Sequence, residues 1–143
     1  MIEFSVPGKA EPAGSKRAFM RPGMKFPVVT DDNPKVKGWK KDIKSYAAEA
    51  MVGRELLDGP IAVTLRFVMV RPKSHYGKKG LRPSAPRYPT VRPDVLKLGR
   101  AVEDALTQVV YKDDAQIVSE YLEKEYGERH GNVGVEVEVE QLK

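Results

Sequence analysis

The sequence contains no cysteine, which removes disulfides, thiolate metal centres and cysteine nucleophiles together. Histidine is nearly as scarce. His75 and His130 stand far apart in polar stretches, so a histidine-rich zinc or iron centre is not expected. Any catalytic metal should therefore be held by oxygen. No run approaches the ~18 apolar residues of a membrane span, and Met1 to Pro7 carries neither a basic leader nor an apolar signal core. The expectation is a cytoplasmic protein without a membrane partner.

What is present fits one compact unit: 143 residues, 41% of them hydrophobic, enough for one core and leaving no room for a second domain. The net charge is +5, which alone says little about partners, but its distribution says more. Residues 1–93 hold 19 Lys/Arg against 8 Asp/Glu, whereas residues 94–143 hold 6 against 12. Cations can hold phosphates while a separate carboxylate cluster holds a metal against them. The competing account is a solvated surface with uneven charge.

Residues 2–6 alternate weakly before Pro7-Gly8, which suggests a short strand and a turn. Gly14 to Thr30 reads as a loop or irregular hairpin, with Lys16 and Arg17 as candidate phosphate contacts. Asp32-Asn33-Pro34 is the clearest helix start, with Asn33 as cap and Pro34 in the first helical position. Val36, Trp39, Ile43, Tyr46, Ala47 and Ala50 then form an apolar stripe. Lys37, Lys40, Lys41 and Lys44 form another, which is either a solubilising surface or a track for a DNA backbone.

Asp58-Gly59-Pro60 ends that region, and Ile61 to Val70 reads as a central strand with Ile61, Val63, Leu65, Phe67 and Met69 on one face. Residues 71–93 carry seven Lys/Arg, five prolines and no acid, with Tyr76 and Tyr88 among the cations. A loop of this length and composition suits distorted or single-stranded nucleic acid. A second helix is expected from Pro93 or Asp94 to Gln108, with Val95, Leu98, Val102, Ala105, Leu106 and Val109 on its apolar face. Ala115 to Tyr126 should be extended, and Gly127 to Asn132 a turn. In the last strand Val133, Val135, Val137 and Val139 alternate with glutamates.

The chemistry concentrates in Arg92 to Leu106 and Tyr111 to Gln116, which supply five carboxylates: Asp94, Glu103, Asp104, Asp113 and Asp114. Phosphodiester hydrolysis without cysteine or histidine needs a hard metal to neutralise phosphate and activate water, and Mg²⁺ prefers a few carboxylates. Leu96, Arg100, Glu103 and Thr107 share the helix face opposite the apolar stripe, while Lys97 and Asp104 lie nearer its edge. For Asp104 an ion pair with Lys97, or a tether to a loop, is favoured over a ligand role. Asp113-Asp114 reads equally as a pair of turn residues or as ligands.

Pro93-Asp94, the helix ending in Asp104-Ala105-Leu106, and Tyr111-Lys112-Asp113-Asp114-Ala115-Gln116 together resemble the RusA family of Holliday-junction resolvases. Thr30 to Pro34 and Gly14 to Arg17 are similar to its phage and prophage branch. The resemblance covers most of the chain. It implies a homodimeric α+β protein of DNA recombination and repair that binds four-way junctions and makes paired, symmetric nicks with Mg²⁺. The first aspartate of the family's Asp-x-Asp motif falls on Asp94, its late catalytic aspartate on Asp114, and its helix lysine on Arg100. The second aspartate of Asp-x-Asp falls on Leu96, which cannot bind a metal. Glu103, two turns along the same face, is our candidate for the missing carboxylate.

The expectation is thus a single α+β domain over residues 1–143, of order β-β-α-β-α-β-β, with two main helices on a mixed or antiparallel sheet. Asp94, Asp114 and Glu103 would hold Mg²⁺, for which Mn²⁺ would substitute, with Asp113 as an outer carboxylate and no nucleotide cofactor. Arg100 would meet the pentavalent phosphate under attack by activated water. Lys16, Arg17, Lys37, Lys40, Lys41, Lys44, Lys73, Lys78, Lys79, Arg82, Arg87, Arg92 and Lys97 would hold DNA. Two other classes share these features: a junction or single-strand binding protein without activity, favoured by Leu96, and a nuclease for flaps or forks.

Overall fold

The alternation of Ile61, Val63, Leu65 and Phe67 creates the strand around which the rest is arranged. The computed structural model describes residues 1–14, 16–31, 33–128 and 132–143, with the backbone alone at 16–19 and 28–31. Along the chain lie β1 (Ile2–Pro7), β2 (Lys16–Phe19), β3 (Val28–Asp31), α1 (Val36–Ala50) and β4 (Ile61–Met69). They are followed by β5 (Tyr76–Gly77), β6 (Gly80–Leu81), α2 (Val95–Leu106), β7 (Ile117–Tyr126) and β8 (Gly134–Gln141). The main sheet has the order β1-β8-β4-β7. Its β1/β8 and β8/β4 pairs are antiparallel and its β4/β7 pair parallel, so the sheet is mixed and the protein α+β. A parallel pair needs a crossover, and α2 lies within it.

One face of the sheet is apolar. Ile61, Val63, Leu65 and Phe67 join Ile2, Val6, Val135, Val137 and Val139 in it. Val36, Trp39, Ile43 and Ala47 of α1, and Leu98, Ala101, Val102, Ala105 and Leu106 of α2, complete one continuous core. Each fully buried Val, Leu, Ile or Phe contributes about 1.5–3 kcal/mol, so the core orients both helices firmly. The opposite face of the sheet is polar, and there Arg66 bridges Glu123 (3.8 Å) and Glu138 (3.4 Å). Two glycines mark close approaches. A side chain at Gly134 (φ 150°) would collide with the Val6 carbonyl, and a Cβ at Gly99 would lie 3.0 Å from Leu122 Cδ1. The second contact is what lets α2 press onto β7.

Several boundaries differ from the sequence reading. The segment before α1 forms a true hairpin, β2/β3, which adds a strand to the expected order. Helix α1 begins at Val36, because Asn33 is engaged one turn earlier. Its Oδ1 accepts from Lys35 N (3.1 Å), and its Nδ2 donates to the Pro12 carbonyl (2.9 Å). Tyr46 is exposed at the margin of the apolar stripe, and Met51 is buried beyond its end. Helix α2 stops at Leu106, since Gln108 adopts φ 68°. Strand β8 starts at Gly134 rather than Val133. The basic segment 71–93 contains the short β5/β6 hairpin. Ser15, Asp32 and Arg129 to Gly131, including His130, lie outside the described residues.

Candidate active site

The last turn of α2 is tied down at one atom. The Glu103 carbonyl accepts from Thr107 N (3.1 Å), Thr107 Oγ1 (2.9 Å) and the Tyr111 hydroxyl (3.0 Å). Tyr111 is fully buried, and burial pushes its hydroxyl pKa up, so it stays a donor. The chain then enters the Asp113 to Gln116 turn, which is a capping box. Asp113 Oδ1 accepts from Ala115 N (2.8 Å), and Gln116 Oε1 accepts from Asp113 N and Lys112 N, both at 3.0 Å. Gln116 Nε2 donates to the Leu57 and Gly59 carbonyls. The turn is thereby fixed to the rest of the protein, and Asp114 projects from it.

Glu103, Asp114 and Glu120 line one small open cleft together with Ile117, Val118 and Ser119. Glu103 is the most perturbed of the three. Burial first, then the hydrogen-bonded carboxyl and charge of Glu120, then the charges of Asp114 and Asp104, push its pKa from 4.5 up to about 8. Its Oε1 is buried and, among the described residues, meets no hydrogen-bond donor. Asp114 is shifted upward too, chiefly by its hydrogen-bonded contact with Asp113. Carboxylates crowded in this way suit a hard divalent ion, which binds their deprotonated form. Among the described residues, however, no three His, Asp or Glu side chains stand together closely enough to hold an ion.

Of the residues expected at the metal, Glu103 and Asp114 come together and Asp94 does not join them. Asp94 is the N-cap of α2, where its side chain makes no capping bond. It is nine residues from Glu103, about 13 Å along a helix. Asp113 Oδ1 serves the backbone of its own turn, and Asp113 is not among the residues that line the cleft with Glu103 and Asp114. Arg100 is exposed and, among the described residues, free of ion pairs. Asp104 pairs with Lys40 of α1 at 3.3 Å and not with Lys97, so Lys40, expected among the DNA-binding cations, joins the two helices.

Lys37, Lys41, Lys44, Lys73, Lys78, Lys79, Arg82, Arg92 and Lys97 are exposed. Arg87 is exposed but meets Glu125 (3.4 Å) and lies over the Tyr88 ring. The side chains of Lys16 and Arg17 lie outside the described residues.

Two contributors escaped the sequence reading. Glu120 shares the core-facing side of β7 with Leu122, and a period-two count back from Leu122 would have found an acid on an otherwise inward face. Arg71 holds the basic loop: it donates to the Gly127 and Pro86 carbonyls (3.2 and 2.7 Å) and lies 4.9 Å over the Tyr126 ring. A cleft of about 990 Å³ lies beside Arg71, Arg87 and Tyr126 and includes none of Glu103, Asp114 and Glu120.

A family model described as Endodeoxyribonuclease RusA matches residues 9–140. The chain belongs to the RusA family. It is also similar to an uncharacterized protein, YqaN, of Bacillus subtilis (strain 168), with 30% identity over 130 residues covering 89% of each chain. RusA enzymes are endodeoxyribonucleases that resolve Holliday junctions, and they generally depend on a divalent metal. This chain is therefore an endonuclease acting on branched DNA. None of its described helices is long and apolar enough to cross a membrane.

Proposed function

We propose that this RusA chain resolves four-way junctions in the cytoplasm by Mg²⁺-dependent hydrolysis, as a homodimer that makes paired, symmetric nicks. The observation that carries this reading is the buried, donorless Oε1 of Glu103 beside Glu120 and Asp114. Mg²⁺, or Mn²⁺ in its place, would neutralise the scissile phosphate and make water a better nucleophile. Glu103, Asp114 and Glu120 would hold one side of it, and Glu103 must give up its proton to do so. Arg100, three positions from Glu103 on an exposed face of α2, directs its planar fork at two phosphate oxygens. Lys37, Lys41 and Lys44, with the loop cations, hold the flanking backbone, so binding weakens steeply with salt.

A second reading has its own support. Leu96 is exposed where the family carries an aspartate, and Asp94 is remote from Glu103, which favours a protein that binds junctions without cutting them. Cleavage of a labelled four-way junction, beside duplex and flap, separates the two. Under the first reading wild type makes paired nicks with Mg²⁺ and none with EDTA, while Asp114→Asn and Glu103→Gln are inactive. Tight binding of the junction with no cleavage under Mg²⁺ or Mn²⁺ would establish the second.

A further inference from the structure

We propose that the tip of the β2/β3 hairpin is a wedge that enters the base stack at the branch point of a DNA junction, with Phe26, Met24 and Met20 as its inserting side chains. This rests on the branched-DNA reading given above and adds to it a means of telling a branch from plain duplex.

Among the described residues, β2 and β3 pair only with each other, and the segment that joins them, residues 20–27, is exposed throughout. Phe26 is 77% exposed, Met20 56% and Met24 44%. Single apolar side chains on a surface need no explanation, but a group of them on one loop does. The loop is also shaped before any partner arrives. Pro22 stands at its first corner, Gly23 takes φ 83° at the second, and Met24 N–H donates to the Arg21 carbonyl at 3.1 Å. That is the pattern of a type II turn, and a preformed tip loses little freedom on insertion.

Charge decides what the tip enters. From Pro12 to Thr30 the sequence has no acid and four cations, Lys16, Arg17, Arg21 and Lys25. Apolar side chains flanked by cations fit a polyanion with apolar faces between its charges, which is a base step between phosphates. Phe, Met and Pro are among the side chains that proteins drive between base steps to kink DNA. In intact duplex the insertion must first unstack a step, whereas at a branch point the stack is already interrupted. The same wedge therefore favours branched DNA.

The root of the hairpin lies on the surface that carries the other cations. Before β2, Ala13 N–H donates to the Lys97 carbonyl of α2 at 3.0 Å. After β3, Asn33 Nδ2 donates to the Pro12 carbonyl at 2.9 Å. Both ends are thus held beside the turn of α2 that leads to Arg100. From Lys16 to Pro22 an extended chain spans about 20 Å, well beyond the ~8.5 Å depth of the major groove. The tip can reach bases while its root stays on α2.

The test uses a four-way junction with 2-aminopurine at the branch point and a matched duplex carrying the same base, both in EDTA so that neither is cut. Wild type should raise the 2-aminopurine fluorescence several-fold on the junction and leave the duplex signal unchanged. Phe26→Ala should lose most of that rise and bind the junction about tenfold more weakly. Its duplex affinity and melting temperature should hold, because so exposed a side chain supports no core. Phe26→Trp should restore the rise, and its indole, read against the buried Trp39, should be quenched by the junction alone.

No rise with wild type, or a rise as large with Phe26→Ala, overturns the proposal. So does an equal loss of junction and duplex affinity, which would make the tip a backbone contact. Flotation of wild type but not Phe26→Ala with phosphatidylserine vesicles, joined to unchanged junction binding, would make it a lipid anchor and overturns it too. Cleavage with Mg²⁺ is scored separately. A wild type that gives the rise without cutting leaves the wedge standing and removes the hydrolysis reading, and cutting without a rise does the reverse.

Discussion

Glu103 of α2 and Glu120 of β7 line one cleft at the seam between the two elements, and Glu103 is the carboxyl whose affinity for its proton is raised, by burial first and then by Glu120. Two acids from different elements can meet this way only if one stays protonated or a cation arrives.

The consequence for the metal-free protein is a stability that falls with pH. Glu103 has a folded pKa of about 8 against 4.5 for the free group, so between those values the folded state binds more protons than the unfolded one. Its stabilising contribution is complete below pH 4.5 and is lost as pH rises through about 8. Glu103→Gln should flatten this dependence, and near pH 9 the variant should be the more stable by on the order of 1–2 kcal/mol once solvent screening is allowed for. Urea titrations at pH 5 and pH 9 in EDTA measure it. Added Mg²⁺ should shrink the difference, because it binds the deprotonated form.

Lys40 and Lys41 are neighbours in sequence with different expected roles. Lys40→Ala breaks the pair with Asp104 and should cost about 0.5–1 kcal/mol of stability, leaving the salt dependence of DNA binding unchanged. Lys41→Ala should do the reverse, making the log–log salt slope shallower by about 0.9 with no change in melting. Fluorescence anisotropy across a salt series distinguishes the two.

Asp113 separates a capping role from a ligand role. Its Oδ1 accepts from Ala115 N, and an asparagine can do the same. Asp113→Asn should therefore retain most of the cleavage rate. Asp113→Ala should lose about 1 kcal/mol of stability, and its rate should fall as the Asp114 turn loosens. A rate for the asparagine variant as low as that of Asp114→Asn would make Asp113 a ligand after all.

Arg71 anchors the basic loop proposed to hold DNA, and its expected effect on binding runs through that loop. Arg71→Ala should open residues 72–92 to limited proteolysis and weaken junction binding by about tenfold, ~1.4 kcal/mol. Single-turnover cleavage at saturating protein should hold near wild type. A loss of rate at saturation would place Arg71 closer to the chemistry than its bonds to the Gly127 and Pro86 carbonyls imply.

The sequence was most legible where periodicity was strong. Ile61 to Phe67, the valines of β8 and the apolar face of α2 stand where alternation and helical spacing put them, because burial enforces those periods. It was least legible where one polar group had a choice of partner. Asn33 bonds to Lys35 and Pro12 instead of starting the helix, Asp104 finds Lys40 from another element, and Asp113 caps its own turn. Glu103 was marked from its helix face, but its neighbour Glu120 comes from a strand, and only the tertiary contact at Gly99 brings the two together.

The pairing of Ile2 with Val139 bears on how the protein is made. Among the described residues β1 pairs with β8 alone, far along the chain, and β4 gains both its neighbours only after α2 has been synthesised. Emerging from the ribosome, the chain therefore displays β1 and β4 as unpaired apolar strands until β7 and β8 have followed. Folding should be slow, as expected where contacts join distant parts of a chain, and chaperone capture should concentrate on those two strands.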